Sequence, residues 1–489
     1  MDGNTAPAAN GLDPGEGGAE GRLAANAGWL LVAEIAGKLA NFALFVIIAR
    51  GLGTREYGYF TFALSFIALF LMFGRLGLQP MAVKEIARDK ARLSELFASG
   101  LLLRTVLAVV GLALAFAVAP AIVHGRQALL AVFVVGSALL LDEISTFLAS
   151  VFQAFEQMRF DALVTLANRI LSTVLAAIAL SLGAGLVTIS ATYLAGSLGA
   201  LACGWYVLRT RFPPVSLKDA RRSIARNYLV TGLPLGLAAL FNVAVFRLDA
   251  VMLEAIRGPL QVAQYGVAYR FFESILFVAW AMSTAALPRI ARGDDDGVTY
   301  GLTTVALVAF YLPFAVGAAF AASGVIHTLF SARYIPAAKA VGWLAGAAIF
   351  YAVAYFTRVC LMMRDRGRTV LLASGATVIL NIGLNAVLIP HLGFEGAAIA
   401  TFASEVFEAL VLVGLYSRTD RLEVKTVMIV PVVAAGAMAG VLILSGIRGW
   451  AAAGIGSVVY LAALGAGALL FGRDRLALLL GSAGVRIGR

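Results

Sequence analysis

The sequence predicts an all-α polytopic membrane protein with about 14 transmembrane helices. Hydrophobic residues occupy 61% of its 489 positions, charged residues occupy only 13%, and the mean hydropathy is +0.91. A soluble protein needs about 25% charged residues to cover its surface with groups that water solvates. Most of the surface of this chain must therefore face lipid.

Apolar runs of membrane-crossing length recur along the chain, separated by charged or Pro/Gly-rich breaks. A helix needs roughly 20 residues to cross a hydrocarbon core of about 30 Å. Helices are expected because each backbone polar group in lipid needs a partner within its own segment, and no alternating pattern of barrel strands occurs. The predicted spans are 28–49, 59–81, 96–119, 128–152, 161–182, 186–208, 228–252, 265–287, 301–322, 341–363, 369–389, 395–417, 425–447 and 451–472.

Basic residues are distributed unequally between the two sets of loops. With the N-terminus in the cytoplasm, the cytoplasmic segments hold about 24 Lys and Arg residues and the outer loops about seven. This asymmetry predicts a multi-pass protein of a bacterial-type inner (plasma) membrane with both termini cytoplasmic. The first 25 or so residues lack the basic start and short apolar stretch of a signal peptide.

The predicted organisation has two lobes of six helices each. A basic loop at 209–226 follows an even number of helices, and the Tyr57-Gly58 segment of the first hairpin is repeated as Tyr265-Gly266. The predicted divisions are a disordered cytoplasmic tail at 1–25, an N-terminal lobe at 26–208, the basic cytoplasmic loop at 209–226, a C-terminal lobe at 227–420, two additional helices at 421–472 and a cytoplasmic tail at 473–489.

Charged residues inside the predicted helices are the candidates for function. A cation at the bilayer centre costs about 2.5–3.5 kcal/mol on insertion scales, so it is expected to face water or a partner. Glu34 and Lys38 have ion-pair spacing on one helix face, as do Arg270 and Glu273. Each residue of the set is either a structural partner, which we prefer for Arg75 and Arg358, or a cavity residue, which we prefer for Lys38, Arg247 and Arg270. Its basic members are Lys38, Arg75, Arg104, Arg169, Arg247, Arg270 and Arg358, and its acidic members are Glu34, Asp142, Glu143, Asp249, Glu273, Glu405 and Glu408.

Several motifs of other function classes are absent from the sequence. It has no G-x-x-x-x-G-K-[ST] phosphate loop, and its three histidines and two cysteines have no metal-ligand spacing. The net charge of +11 is scattered between apolar runs, so a nucleic-acid partner is not expected. We expect neither a cofactor nor a resident metal, and no loop is long enough for a soluble catalytic domain. The function class that these absences leave is movement of a substrate across the membrane.

Motif blocks over about residues 28–420 resemble the polysaccharide-exporter or oligosaccharide flippase family, which belongs to the superfamily of multidrug and toxic-compound extruders and the lipid II flippase. Residues 49–58 match the family pattern A-R-x-L-G-x-x-x-Y-G. The later blocks are Gly77-Leu78, Lys84 to Arg88, Gly232-Leu233-Pro234, Arg247-Leu248-Asp249, Gln264-Tyr265-Gly266, Tyr269-Arg270 with Glu273, Asn381, Asn385, Leu388-Ile389-Pro390, Gly393, Gly396-Ala397-Ala398, Ala400-Thr401 and Ser404-Glu405.

This resemblance implies two pseudo-symmetric six-helix lobes around a central cavity that opens alternately to either side, and two additional C-terminal helices. The implied substrate is an oligosaccharide on polyprenyl pyrophosphate, moved to the outer leaflet for O-antigen (lipopolysaccharide), capsule or exopolysaccharide biosynthesis. The implied partners are membrane lipids, a polysaccharide polymerase and other assembly proteins. The alternatives are a lipid II flippase, an ion-coupled multidrug extruder and, from a different class, a membrane-embedded glycan polymerase or ligase.

Arginine forks match phosphate oxygens, so the deep basic residues are expected to line a head-group cavity. The candidates are Lys38, Arg247 and Arg270, together with Arg104 and Arg169. Glu34, Asp249 and Glu273 are candidates for proton or sodium coupling, because a desolvated carboxylate changes its charge state readily. The alternative for these three is a role as fixed counter-ions.

Overall fold

The computed structural model describes residues 19–291, 296–417 and 425–470, and within these ranges the chain forms helices and short connections without strands. Three short 3₁₀ segments lie at Lys90–Arg92, Leu217–Asp219 and Ala332–Ala337. The α-helices of the described part are α1 (Ala19–Gly51), α2 (Thr54–Arg75), α3 (Leu78–Arg88), α4 (Leu93–Ile122), α5 (Arg126–Ala154), α6 (Met158–Ser181), α7 (Leu186–Arg211), α8 (Arg222–Arg257), α9 (Pro259–Ala291), α10 (Asp296–Leu329), α11 (Ala338–Met363), α12 (Gly367–Leu392), α13 (Phe394–Ser417), α14 (Lys425–Ser445) and α15 (Gly449–Leu470).

The all-helical polytopic fold is confirmed. In the described ranges, 14 of these helices have at least 21 residues, and 12 candidate spans are both long enough and apolar enough to cross a membrane. The remaining two helices, α1 and α8, have 33 and 36 residues, well above the roughly 20 that a crossing requires. Both carry charged residues that face the protein interior, described below.

The predicted span at 59–81 is interrupted in the structure. Helix α2 ends at Arg75 because Gly77 adopts a left-handed conformation with φ of 70°, and α3 begins one residue later. Helix α3 is short and amphipathic: Leu78 and Ile86 are buried, whereas Lys84 and Arg88 are exposed. The apolar run continues through the break, so hydropathy alone does not reveal it.

Two boundaries of the predicted organisation shift. Helix α1 begins at Ala19, inside the segment predicted as a disordered tail, and the other positions of both predicted tails that precede 19 or follow 470 lie outside the described residues. The basic loop is shorter than predicted, because α7 continues to Arg211 and α8 begins at Arg222. Its 3₁₀ turn is attached to the N-terminal lobe through Asp219, whose Oδ2 accepts a hydrogen bond from Ser94 Oγ at 2.5 Å.

The long helices form two lobes and an additional pair. In the N-terminal lobe, α7 packs on α5 and α6, α1 packs on α6, and α2 packs on α4 and α5. In the C-terminal lobe, α11 packs on α10 and α13, and α12 packs on α8 and α13. Helices α14 and α15 pack on each other and on α10. Helix α8 also contacts the N-terminal lobe, where Gly236 lies against the backbone of Leu76.

Ser94 follows segment 89–92 and is hydrogen-bonded to Ser216 and Asp219, so segments 89–92 and 212–221 lie at one end of the bundle. Because successive long helices alternate in direction, segment 364–366 lies at the same end, called the basic end below. At the opposite end, α2 and α9 approach closely. A side chain at Gly58 would overlap the main-chain carbonyl of Pro259, and a side chain at Gly266 would overlap the side chain of Thr61. Gly58 and Gly266 are the glycines of the repeated Tyr-Gly motif, so both copies of the repeat contribute to the contact between the lobes.

Candidate substrate cavity

A cavity of about 770 Å³ lies between the lobes. Helices α1, α2, α5, α6 and α7 line it from the N-terminal lobe, and α8, α9 and α11 line it from the C-terminal lobe. Arg75, the last residue of α2, lines the cavity with a side chain that is 59% exposed, and Trp280 near the end of α9 is 43% exposed. The contacts between α2 and α9 close the other end. The cavity therefore opens toward the basic end.

Positive charge exceeds negative charge along the described cavity wall. Its basic residues are Lys38, Arg75, Arg169, Arg247 and Arg270, and its carboxylates are Asp142, Asp161 and Glu273. Of the substrate-cavity and coupling candidates named from the sequence, Lys38, Arg169, Arg247, Arg270 and Glu273 come together here. They come from four helices of both lobes.

Two arginines share one carboxylate in this cavity. Arg247 Nη2 lies 2.8 Å from Glu273 Oε1, and Arg270 Nη1 lies 2.6 Å from Glu273 Oε2. The Arg270 guanidinium also stacks on the ring of Phe45 from the N-terminal lobe, with its Cζ 3.7 Å from the ring centroid. This triad keeps one excess positive charge. The buried Nε of Arg270 has no hydrogen-bond partner among the described residues, so one donor of the guanidinium is unused.

Lys38 and Arg169 place further charge on the N-terminal wall. Lys38 interacts electrostatically with Glu273. Arg169 Nη1 donates to Asn41 Oδ1 at 3.2 Å and to the Tyr193 hydroxyl at 3.4 Å. Both are long contacts with neutral acceptors, and the Asp142 carboxylate interacts with the guanidinium electrostatically.

Arg104 does not line the cavity. Its Nη2 lies 2.7 Å from Glu143 Oε2, and both side chains are only 3% exposed. The other oxygen of Glu143 accepts from Arg75, with Nη2 at 2.6 Å. Glu143 therefore joins a buried structural arginine to one that reaches the cavity. The sequence favoured a structural role for Arg75. In the structure Arg75 both pairs with Glu143 and lines the mouth of the cavity.

Asp249 also lies outside the cavity wall, in a buried polar cluster of the C-terminal lobe. Its Oδ2 accepts from the hydroxyls of Tyr265 and Thr401, both at 2.6 Å, and its Oδ1 accepts from Asn385 Nδ2 at 2.6 Å. Asn385 Nδ2 also donates to Asn381 Oδ1 at 3.0 Å. Neutral groups thus satisfy this carboxylate. Asn385 Oδ1 and Asn381 Nδ2 are buried without partners in the described part of the chain.

The third coupling candidate, Glu34, lies on α1, but its side chain falls outside the part that the structure describes. Among the described residues, no three His, Cys, Asp or Glu side chains are grouped as metal ligands. Glu273 differs from Asp249 because both of its carboxylate oxygens form ion pairs, one with Arg247 and one with Arg270.

An aromatic wall on the C-terminal side was not identified from the sequence. Aromatic side chains also face lipid and protein cores, so their presence in a helix is uninformative. A usable signal was the helical spacing of Tyr269, Glu273, Phe277 and Trp280, which places three aromatic residues on the face of the charged one. The wall consists of Phe246, Tyr269, Phe277, Trp280, Tyr351 and Tyr355.

Comparisons with known proteins agree with this architecture. Residues 23–293 match the sequence profile of the family described as polysaccharide biosynthesis protein. An uncharacterized membrane protein of Methanocaldococcus jannaschii is 21% identical over 414 residues, which cover 80% of this chain and 96% of that protein.

Solved structures of transporters share the fold. A structure of the lipid II flippase MurJ in an inward closed conformation matches with a TM-score of 0.75 and 14% identity, covering 93% of this chain and 100% of MurJ. An inward-facing multidrug resistance MATE family transporter of the MOP superfamily matches with a TM-score of 0.62 and 19% identity, covering 80% of this chain and 95% of that chain.

Proposed function

The chain belongs to the polysaccharide biosynthesis protein family, as its motifs indicated, and from this premise we propose that it is a flippase for polyprenyl-pyrophosphate-linked oligosaccharides. It moves its substrate from the cytoplasmic to the outer leaflet of the inner membrane by alternating access, for O-antigen, capsule or exopolysaccharide biosynthesis. It acts as a transporter and not as an enzyme, and delivers the lipid-linked glycan to a polymerase on the outer face.

The observation that carries this proposal is the pair of arginines on Glu273. A pyrophosphate is an anion with several oxygens, and guanidinium groups bind such oxygens through two parallel hydrogen bonds. Arg247 and Arg270 contribute two guanidinium groups, and Glu273 neutralises only one of their two charges. Lys38 and Arg169 add further positive charge to the cavity wall. Protein and lipid of low dielectric constant surround the cavity and screen these charges less than bulk water does, so an anionic head group is a favourable occupant.

The shape of the cavity supports the transport step. An anionic head group cannot cross the hydrocarbon core without solvation, whereas a polyprenyl chain is soluble there. A cavity open at the basic end and closed between α2 and α9 would receive the head group while the polyprenyl chain stays in lipid. Release on the other side requires the contacts of Gly58 and Gly266 to separate, with closure at the basic end.

Asp249 is our candidate for coupling transport to an ion gradient. It is a buried carboxylate held by hydroxyl and amide groups, with no cation among its hydrogen-bond partners. Such a group can take up a proton or a sodium ion, and the unpartnered Asn385 Oδ1 is a further oxygen ligand for a cation. Glu273 is the poorer candidate because two arginines already neutralise it, and it serves as their counter-ion.

A reconstituted transport assay tests the proposed function. In vesicles loaded with a lipid-linked oligosaccharide, wild-type protein should expose the glycan on the opposite leaflet. Arg247→Gln and Arg270→Gln should each lower the transport rate roughly 10- to 100-fold, the range for losing a hydrogen bond to a charged group. Arg211→Gln is the matched control, since Arg211 is exposed at the end of α7. Equal rates in all four proteins would contradict a role of the two arginines.

Lipid II is the second candidate substrate, because the structural match to MurJ extends over 93% of this chain and lipid II carries the same pyrophosphate linkage. Deletion of the gene separates the two. Loss of a surface glycan with accumulation of its lipid-linked precursor supports the proposal, whereas accumulation of lipid II supports the second candidate. An assay for glycosyl transfer by the purified protein addresses a polymerase or ligase activity.

A further inference from the structure

The two walls of the cavity differ in chemistry beyond their charges. Most of the uncharged amide and hydroxyl groups of the lining, with two carboxylates, come from the N-terminal lobe, whereas six of the nine aromatic residues come from the C-terminal lobe. The polar wall consists of Asn41, Asp142, Ser145, Thr146, Asp161 and Asn168, and the aromatic wall is the set described above. A pyrophosphate site alone accounts for neither wall.

Four of the six aromatic residues, Tyr269, Phe246, Tyr351 and Tyr355, form a continuous series of ring contacts. Phe246 contacts Tyr351 with ring centroids 5.4 Å apart, and Tyr351 contacts Tyr355 at 5.9 Å. Trp280 extends the wall toward the mouth and is 43% exposed. The negative face of an aromatic ring attracts groups with partial positive charge, such as the C–H groups on the face of a sugar ring. Large aromatic faces are therefore suited to stacking with a sugar.

The polar wall has hydrogen-bonding capacity that the protein leaves unused. Ser145 Oγ and Asn168 Oδ1 are buried without a partner among the described residues, and both residues line the cavity. These side chains are only 6% and 7% exposed. Asn168 is held in place, since its Nδ2 donates to Asp142 Oδ1 at 2.7 Å. An unpaired buried polar atom costs free energy unless a ligand or water satisfies it.

Part of each wall lies nearer the mouth of the cavity than the arginines do. Ten residues separate Arg270 from Trp280 on α9, which corresponds to about 15 Å along the helix axis. Ser145 lies closer than Asp142 to the end of α5 at the basic end. A ligand whose phosphates contact Arg247 and Arg270 therefore has room for a further group between them and the mouth.

We propose that the cavity recognises the glycan itself, with the sugar rings stacked on the aromatic wall and their hydroxyls bonded to the polar wall. This inference rests on the proposed function and assigns the substrate specificity to two opposed surfaces. Ser145 and Asn168 select the pattern of sugar hydroxyls, and Trp280 holds the ring nearest the mouth. The arginines bind the pyrophosphate of the lipid carrier whichever glycan it bears, so they contribute affinity without selecting the sugar.

The test compares two ligands on the same proteins: a polyprenyl pyrophosphate bearing an oligosaccharide and the bare polyprenyl pyrophosphate. Trp280→Ala should weaken binding of the glycosylated lipid about tenfold and leave binding of the bare lipid unchanged. Ser145→Ala should weaken it about threefold with the same selectivity, and it removes no internal hydrogen bond. Arg247→Gln should weaken both ligands equally. Trp450→Ala is the matched control, since Trp450 is exposed on α15, outside the cavity.

The two ligands separate the possible failures. If Trp280→Ala and Ser145→Ala leave binding of the glycosylated lipid unchanged, or weaken both ligands equally, glycan recognition by these walls is overturned while the flippase proposal stands. If wild-type protein binds neither lipid, the proposed function fails and this inference fails with it. Circular dichroism and size-exclusion profiles of each variant confirm that a loss of binding occurs in folded protein.

Discussion

Arg50 and Arg333 hold the two lobes together by contacting each other's helix ends. Arg333 Nη2 donates to the main-chain carbonyl of Arg50 at 2.7 Å, and Arg50 Nη2 donates to the carbonyl of Thr328 at 2.7 Å. The acceptors lie at the C-termini of α1 and α10, where helix carbonyls lack intrahelical partners and carry partial negative charge. Each lobe thus caps the C-terminus of a helix in the other lobe, at the end of the bundle opposite the basic end.

The first prediction concerns this reciprocal cap. Arg333→Ala removes a charge-assisted hydrogen bond, worth about 1.5–3 kcal/mol, from the state in which α1 and α10 are close. The population with separated lobes at this end should increase. Spin labels at Leu182 and Ile335, which are exposed on the two lobes, would show longer distances in a background without native cysteines. Arg126→Ala is the control, because Arg126 is exposed at the same end. An unchanged distance distribution would contradict the predicted role.

The second prediction concerns Gly58. Its α-carbon faces the Pro259 carbonyl so closely that an added Cβ would lie 2.0 Å from the oxygen. Gly58→Ala must therefore separate α2 from α9, and we expect the same opening as in Arg333→Ala together with lower transport. Gly53→Ala is the matched control, since no atom lies within 4 Å of an added Cβ there. Wild-type distances and rates in Gly58→Ala would exclude a tight seal at this position.

The third prediction concerns the charge balance of the triad. Glu273→Gln leaves Arg247 and Arg270 without their counter-ion, and breaking a buried ion pair costs about 3–5 kcal/mol. The cost here should be smaller because Arg247 and Glu273 are 26% and 21% exposed. The melting temperature in detergent should fall for Glu273→Gln. It should partly recover in the double variant Arg247→Gln/Glu273→Gln, and a double variant less stable than either single variant would contradict the pairing.

The fourth prediction separates Arg104 from the cavity arginines. Arg104→Gln leaves Glu143 with one partner fewer in a buried site, so thermal stability should fall by an amount equivalent to about 3 kcal/mol or more. Binding of the lipid-linked glycan by the folded fraction should stay at the wild-type level. Arg169→Gln should show the opposite pattern, with weaker binding and a smaller loss of stability. A large loss of affinity in folded Arg104→Gln would place this residue in the binding site after all.

The fifth prediction concerns coupling. Asp249→Asn keeps the size of the side chain and its contacts with Tyr265 and Thr401 but removes the charge. We expect substrate binding to persist while transport no longer responds to an imposed proton or sodium gradient. Measuring transport with each gradient imposed separately identifies the ion. A wild-type protein that ignores both gradients would end the coupling proposal, and a variant that still responds would remove Asp249 from it.

Much of the fold follows from hydropathy, because an apolar run of sufficient length has few alternatives to a membrane-crossing helix. The break at Gly77 was missed for a physical reason: the left-handed conformation ends α2, but the surrounding residues remain apolar on both sides. The start of α1 was also placed too late, since Ala-rich sequence supports a helix without the hydrophobicity that identifies a span.

The cavity was partly predictable because a charge at membrane depth must face something polar. Lys38, Arg169, Arg247 and Arg270 satisfy this condition by lining the cavity. Arg104 satisfies it instead through Glu143, a partner 39 positions away on another helix, which no local spacing reveals. The aromatic wall and the unused polar atoms depend on which helix faces meet, and this information is distributed across the whole chain.

The approach of Gly58 to the Pro259 carbonyl bears on permeability. Backbone lies against backbone there, so no room for water remains between α2 and α9 at this position. If the cavity were open to water on both sides at once, mobile ions could cross and dissipate the membrane potential. We therefore expect glycine at this position to limit ion leakage while the cavity is empty.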